Sequence, residues 1–272
     1  MSIALAHVSA PTPAPRDYLS WSQISAYRSC PLRYYFKYVV GLPEPIVSAS
    51  LVFGSAIHRA IEHHFRELLA GRPPPMTNEL LDHYQAEWHE RADARITGDD
   101  DRPVLDGLAN RMLAAFQRHD AARPHGRILA VEETLRGELV SGLPDLVGRV
   151  DLIVETSDTL VVNDWKTSRS RWSADQADDN SEQLLLYAEL ARDFAPRKQI
   201  RIEFVVLTKS KDVAVDRHQR QVVSTQVDRA KRIVEGVWRA IDAEHFYPSP
   251  SPLNCGGCPF REPCRAWPRK SI

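Results

Sequence analysis

The chain has 272 residues, 43% of them hydrophobic, with 35 basic and 36 acidic side chains and a formal net charge of −1. That length holds one large domain or two small ones. No apolar run approaches the roughly 20 residues of a membrane span, so no transmembrane helix is expected, and with charge so evenly balanced any nucleic-acid contact must rest on locally concentrated cations.

Residues 1–16, MSIALAHVSAPTPAPR, lack a basic start and carry three prolines. They are expected to form a flexible tail rather than a signal peptide, which makes the cytoplasm the expected location. Residues 20–38, SWSQISAYRSCPLRYYFKY, offer Ser20 or Ser22 as a helix N-cap, and Pro31 divides the stretch into two short helices. Arg28, Arg33 and Lys37 lie among the tyrosines at 34, 35 and 38, a mixture of cations and stacking rings that suits single-stranded nucleic acid. In residues 51–70, Phe53, Ile57, Ile61 and Phe65 recur every fourth position and predict an amphipathic helix, with His58 and Glu62 one turn apart beside the stripe. GRPPP (71–75) ends it, and two further helices are expected near 77–95 and 103–121.

The periodicity changes at about residue 127. RILAVEETLRGEL, LVGRVDLIVE and TLVVNDWKT, divided by the turns SGLPD and TSD, read as a three-stranded antiparallel meander. Residues 180–193 read as a helix, 201–208 as a strand, 219–226 as its partner and 227–244 as a long helix. The order of elements predicts an α/β fold with a mixed sheet.

Strand alternation places Leu160, Val162, Asp164 and Lys166 on one face, and Val147, Arg149, Asp151 and Ile153 on one face of the neighbouring strand. Asp151 and Asp164 then converge beside Lys166, and Glu132 on the first strand can join them. Carboxylates brought so close repel one another unless a divalent cation lies between them, and an oxygen-rich set suits Mg²⁺ or Mn²⁺. Such a cation polarises a phosphodiester and acidifies water, and a lysine can orient that water or offset charge on phosphate. Either Glu132 or Glu133 can fill the acid position, because a one-residue slip exchanges the faces of a strand.

Four cysteines are present. Cys255, Cys258 and Cys264 form C-x2-C-x5-C, and Cys30 lies far upstream. The C-x2-C clip serves both zinc and iron–sulfur clusters, and spacing alone does not separate them. Ligation by Cys30 would tie the two ends of the chain together.

In order along the chain, His58, Glu132, the G-R-V-D-L-I stretch (148–153), D-W-K-T (164–167) and Q-L-L-L-Y-A (183–188) resemble the RecB-like branch of the PD-(D/E)XK nuclease superfamily. The resemblance covers roughly residues 18–265 and extends to CRISPR-associated exonucleases and AddB-type nuclease domains. It implies a restriction-endonuclease-like α/β core with a mixed central sheet flanked by helices. Residues 17–272 then form one nuclease domain, with a helical insertion near 75–122 and a cluster-binding segment near 246–272. His58, Asp151, Asp164 and the Trp165 carbonyl become metal ligands. Lys166 becomes the catalytic lysine, with Asp151, Asp164, Glu132, Gln183 and Tyr187 completing the catalytic set. The literal "PD" at Pro144 and Asp145 falls in a turn and is a decoy. The cysteine pattern resembles the iron–sulfur group of the same branch, so Cys30, Cys255, Cys258 and Cys264 are expected to hold a [4Fe–4S] cluster. Arg28, Arg33, Lys37 and Arg169 are expected DNA contacts, and Arg171, Lys209 and Lys211 can rim the cleft. The expected activity is metal-dependent exonuclease action on single-stranded or end-bearing DNA, in repair, recombination, phage DNA processing or CRISPR adaptation. No Walker A motif is present, so a helicase or another partner must supply any translocation. The alternatives are a non-catalytic DNA-end-binding subunit and a zinc-stapled adaptor.

Overall fold

The computed structural model describes residues 17–44, 46–91, 95–97 and 101–267. The expected N-terminal tail, 1–16, lies outside them. The elements in chain order are β1 (Tyr18–Ser20), α1 (Trp21–Ser29), α2 (Pro31–Tyr34) leading into a π-helical turn (Tyr35–Val39), β2 (Ile46–Ser48), α3 (Ala49–Leu69), α4 (Thr77–Glu90), β3 (Arg95–Thr97), α5 (Arg102–Arg118), β4 (Arg127–Gly137), β5 (Asp145–Glu155), β6 (Thr159–Ser168), α6 (Ala174–Asp179), α7 (Ser181–Leu190), β7 (Gln199–Thr208), β8 (Val215–Gln221), α8 (Ser224–Asp242), α9 (Pro252–Gly256) and α10 (Arg261–Ala266). No helix among the described residues is long and apolar enough to cross a membrane.

β4, β5 and β6 form the expected meander, β7 joins β6 in parallel and β8 closes the edge antiparallel to β7, so the sheet is mixed. One face buries Ile24, Leu184, Tyr187, Val227 and Val234 from α1, α7 and α8. The other buries Phe53, Ile57, Phe65, Tyr84, Leu105 and Phe116 from α3, α4 and α5. The result is an α/β core with helices on both faces. Residues near 75–122, expected as a helical insertion, supply α4 and α5 to this second layer.

Several elements differ from the sequence reading. β8 occupies 215–221 rather than 219–226, and α8 begins at Ser224. Thr208 sets the register: its N–H donates to Ala214 O at 2.9 Å and its Oγ1 accepts from Ala214 N at 2.8 Å, which turns the chain early. The edge strand VDRHQRQ is polar, so it carries little hydrophobic signal. β1 and α6 are too short to have a pattern of their own. β1 is stabilised by parallel pairing with Asp145–Val147 and by the capping box that starts α1, in which Ser20 and Gln23 each accept from the other's backbone N–H.

Gly148 is explained by α7. A Cβ at this position would overlap the Tyr187 ring, which packs directly against the β5 backbone. Gly148→Ala is therefore expected to cost about 1–3 kcal/mol by overpacking. A fall in melting temperature of several degrees, together with a displaced Tyr187, is the outcome to measure. An unchanged melting temperature would refute the close approach.

Candidate active site

β5 and β6 pair from Leu152↔Asn163 to Glu155↔Leu160, and the ladder then stops. The next pair would have been Asp151 with Asp164. Beyond this point β6 continues beside β7 alone, while the same edge of β5 is taken up again only by β1 at Asp145–Val147. The sheet therefore forks at the two aspartates. The backbone N–H of Trp165, freed by the fork, donates to Asp151 Oδ2 at 2.7 Å. The carboxylate thus replaces a lost ladder bond, as a buried backbone donor requires.

Alternation along β5 also reverses here. Leu146 and Val150 face the α7 layer, whereas Leu152 and Val154 face the α3 layer. The expectation that Val147, Arg149, Asp151 and Ile153 share one face is corrected. Ile153 joins the α7-side core with Leu160 and Val162, while Arg149 and Asp151 line an open cleft. Across the ladder, Glu132 lies between the pairs Val131↔Leu152 and Glu133↔Val150, with φ of 52°. A non-glycine residue in this region costs about 1–2 kcal/mol, and the strain reverses β4 in register with β5. It turns Glu132 into the cleft and leaves Glu133 exposed.

His58 reaches the fork from α3, one turn beyond Gly54, where the helix approaches β6 so closely that a Cβ would stand 3.4 Å from Thr167 Oγ1. One ligand atom each from His58, Glu132 and Asp151 lies within 4.8 Å of the others. His58 Nδ1 is 3.6 Å from Asp151 Oδ2. Asp164 is buried at 7% exposure, and its Oδ2 faces Lys166 Nζ at 2.5 Å. Arg149 Nε is 2.5 Å from Glu132 Oε2. The cleft holds about 950 Å³ and is walled by α3, the end of α4 and the strand ends. From the far side Gln183 and Tyr187 stand one turn apart on α7, and the Tyr187 hydroxyl lies in the field of Asp164, Lys166 and Asp151. Asp145, the decoy, instead holds Arg136 at 2.7 Å at the start of β5.

The electrostatics fit a cation site. Burial, then the Asp164 charge, pushes Asp151 well above the usual carboxylate range. Burial and the Asp151 charge push Glu132 up to about 7. Burial pushes His58 below its usual range, outweighing the nearby acids, so it is a neutral imidazole with a lone pair to give. Burial pulls Lys166 down, but Asp164 outweighs it and holds the amine above its ordinary value. Because Glu132 binds a proton more tightly folded than unfolded, its contribution to stability falls as pH rises from near 4 through about 7. His58 has the opposite sign, but its contribution is complete once pH exceeds about 6.5. In metal-free protein Glu132→Gln is therefore expected to give a melting temperature that falls less, or rises more, than that of wild type between about pH 4.5 and 7, because the variant lacks the Glu132 loss while His58 is unchanged. Equal slopes for the two proteins would contradict this reading.

The other expected contacts are placed differently. Arg28 pairs with Glu182 on α7, and Arg33 and Lys37 both pair with Glu44, at 3.7 and 2.6 Å. The expected stacking surface is corrected, because Tyr34 is fully buried and Tyr35 packs on Phe246 and Trp267. These rings fasten the N-terminal helices to the C-terminal segment. Arg169 is exposed just past β6, Arg171 pairs with Asp216 at 3.3 Å, and Lys209 donates to Ser50 Oγ at 2.8 Å at the cleft rim. Glu87, Arg59 and Arg91 were missed by sequence reasoning. They line the same cleft, and charged residues on amphipathic helices carry no signal that separates them from a solvated face.

The four cysteines converge. Burial, then the charges of Cys30, Cys258 and Cys255, raises the Cys264 thiol. Cys30, Cys258 and Cys264 pack around Leu32, Phe36 and Phe260. Ser249 N–H donates to Cys30 Sγ, and Asn254 Nδ2 donates to Ser29 O at 2.8 Å.

The family description for the PD-(D/E)XK nuclease superfamily matches residues 18–265, nearly the whole chain. The chain belongs to the PD-(D/E)XK nuclease superfamily. Among solved structures it is similar to a candidate exonuclease from Eubacterium rectale, with a TM-score of 0.58 and 17% identity over 94% of this chain and 91% of that one. It also matches SSO0001 at 14% identity and a TM-score of 0.33, over 88% of this chain and 92% of that one. No curated protein matches. Membership makes the acidic group at the forked sheet of this PD-(D/E)XK chain a candidate site for the divalent ions such nucleases use.

Proposed function

We propose that the chain is a metal-dependent deoxyribonuclease that degrades single-stranded or end-bearing DNA from its termini. The observation that carries this is the convergence of His58, Glu132 and Asp151 in an open cleft beside the Asp164–Lys166 pair. One nitrogen and two carboxylate oxygens suit Mg²⁺ or Mn²⁺, with Asp164 and the Trp165 carbonyl available to complete the shell. A bound divalent ion supplies Lewis acidity toward water and the phosphodiester. The protein's residues do the rest. Trp165 N–H orients Asp151, and Tyr187 with Gln183 backs the Asp164–Lys166 pair from α7. Lys166, cationic and lining the cleft, offsets charge that develops on phosphate.

The cysteines support a [4Fe–4S] cluster that joins the two ends of the fold. Cys30, Cys258 and Cys264 pack around one apolar cluster, and iron–sulfur rather than zinc is proposed on the resemblance of the C-x2-C-x5-C pattern with its upstream cysteine. A role in repair, recombination, phage DNA processing or CRISPR adaptation, beside a helicase or integrase partner, agrees with a sequence in which no Walker A motif is present.

The test is degradation of labelled single-stranded DNA in Mn²⁺ by wild type and by Lys166→Ala, on linear and on covalently closed circles. Lysine-dependent loss of linear DNA with intact circles is the expected result. Equal degradation by both proteins, or none by either, defeats the proposal.

A further inference from the structure

α3 and α4 pack antiparallel along one wall of the cleft, and a charged cluster crosses between them beside His58. At its centre is Glu87, 9% exposed. Its carboxylate accepts from Ser55 Oγ at 2.6 Å, Arg91 Nε at 2.8 Å and Arg59 Nη1 at 3.3 Å. Burial pushes Glu87 up, but these three donors outweigh it, so it remains an anion. Arg59 Nη1 also pairs with Glu90 at 2.7 Å, and Arg91 Nη2 lies 3.5 Å from Ser55 Oγ. All five residues line the cleft. A buried acid that holds two guanidiniums is more than packing needs, since ion pairs stabilise poorly against an apolar substitute. It does settle in advance where the two forks stand. Arg59 uses Nη1 and Arg91 uses Nε and Nη2 in these bonds, which leaves Arg59 Nε and Nη2 and Arg91 Nη1 outside the cluster's own bonding. Glu90 is the loose member, with 63% of its side chain exposed.

Resting on the nuclease reading, we infer that Arg59 and Arg91, oriented by Glu87, bind a phosphate of the DNA strand next to the one being cleaved. The cluster stands within one helical turn of His58, about 5 Å along α3. Guanidinium forks match phosphate oxygens in pairs. The incoming phosphate displaces Glu90, the solvent-facing partner, while the buried Glu87 keeps its bonds. Arg59 and Arg91 are binding residues in this scheme, and Glu87 is a positioning residue.

The test measures affinity of the full chain for a fluorescent single-stranded oligonucleotide in Ca²⁺ at graded KCl, with and without a terminal phosphate. Arg59→Ala and Arg91→Ala are each expected to weaken binding about 10-fold and to reduce the slope of log K against log salt by about 0.7. Arg91→Lys restores charge but not the fork, and should recover only part of the loss. Glu90→Gln is expected to bind 2–5-fold tighter, roughly, because a competing anion is gone. A purely structural network predicts no such gain, and this exposed variant decides the matter even if an arginine variant misfolds. If Arg91→Ala removes the extra affinity given by a terminal phosphate, the bound group is the strand end; if it weakens both oligonucleotides equally, it is an internal phosphate. Unchanged affinity and slope in the arginine variants and Glu90→Gln, with a lower melting temperature alone, overturn the inference, as does failure of wild type to bind. If wild type binds through these residues yet cleaves nothing in Mn²⁺, the nuclease reading falls and phosphate binding by Arg59 and Arg91 stands without it. If wild type cleaves and cleavage and KM are indifferent to all four substitutions, the nuclease reading stands and this one falls.

Discussion

Lys166→Ala is expected to lower Mn²⁺-dependent DNA cleavage by about 10²–10³-fold, the loss typical of removing one preorganised charge from a reacting centre. The side chain is 32% exposed and lines the cleft, and its ammonium stands 2.5 Å from Asp164 Oδ2. Its removal leaves Asp164 buried, with an Oδ2 that has no other hydrogen-bond partner. An uncompensated buried carboxylate is unfavourable unless a cation replaces the amine. The metal-free variant should therefore melt a few degrees lower than wild type and regain that loss in Mn²⁺. Recovered stability without recovered cleavage separates a chemical role from a structural one. A variant that melts like wild type in EDTA and still cleaves would show that Asp164 and Lys166 are an ordinary pair at a strand end.

Loss of the cysteine cage is the second large effect. Cys258→Ser with Cys264→Ser is expected to abolish bound iron and sulfide and the brown colour that accompanies them. Tying Cys30 to Cys255 closes a loop of more than 200 residues, for which chain entropy sets a scale of about 5 kcal/mol. At about 2–4 °C per kcal/mol, a fall in melting temperature of order 10–20 °C follows. The described contacts limit the damage to one end of the molecule. Tyr27 donates to His245 O at 2.7 Å, Asn254 to Ser29 O, and Phe260 is buried against Leu32 and Phe36. The C-terminal segment should become sensitive to protease while the sheet and its cleft persist. Zinc in place of iron in the purified wild type would defeat the cluster, and equal melting temperatures would defeat the staple.

The two effects concern separate parts of the molecule, so their energies should add within a few tenths of a kcal/mol in a combined variant. Lys166 acts at the fork of β5 and β6. The cysteines act where α2 meets α9 and α10.

What the sequence determined by itself is the chain order of the chemistry. Apolar runs between turns set β5 and β6 and a four-residue stripe set α3, and Asp151, Asp164, Lys166, Gln183 and Tyr187 could be placed in chain order on β5, β6 and α7. The helical layers and the mixed sheet were legible from the same local patterns. Only the tertiary structure decided which side chains meet. Pairing stops at Asp151, so β6 leaves β5 and the carboxylate takes over the Trp165 N–H. Glu132 was separable from Glu133 only through a strained φ that reverses β4, and a reversal of two strands in step leaves no mark in either one's composition. Tyr34 and Tyr35 were read as stacking surface and are packing, because burial depends on Phe246 and Trp267 more than 200 positions away in the chain. Arg59, Glu87 and Arg91 went unnoticed for the converse reason. Each is an unremarked charge on its own helix, and the cluster exists only once α3 and α4 lie side by side. Local periodicity is a property of neighbours in sequence, whereas a site is a property of neighbours in space.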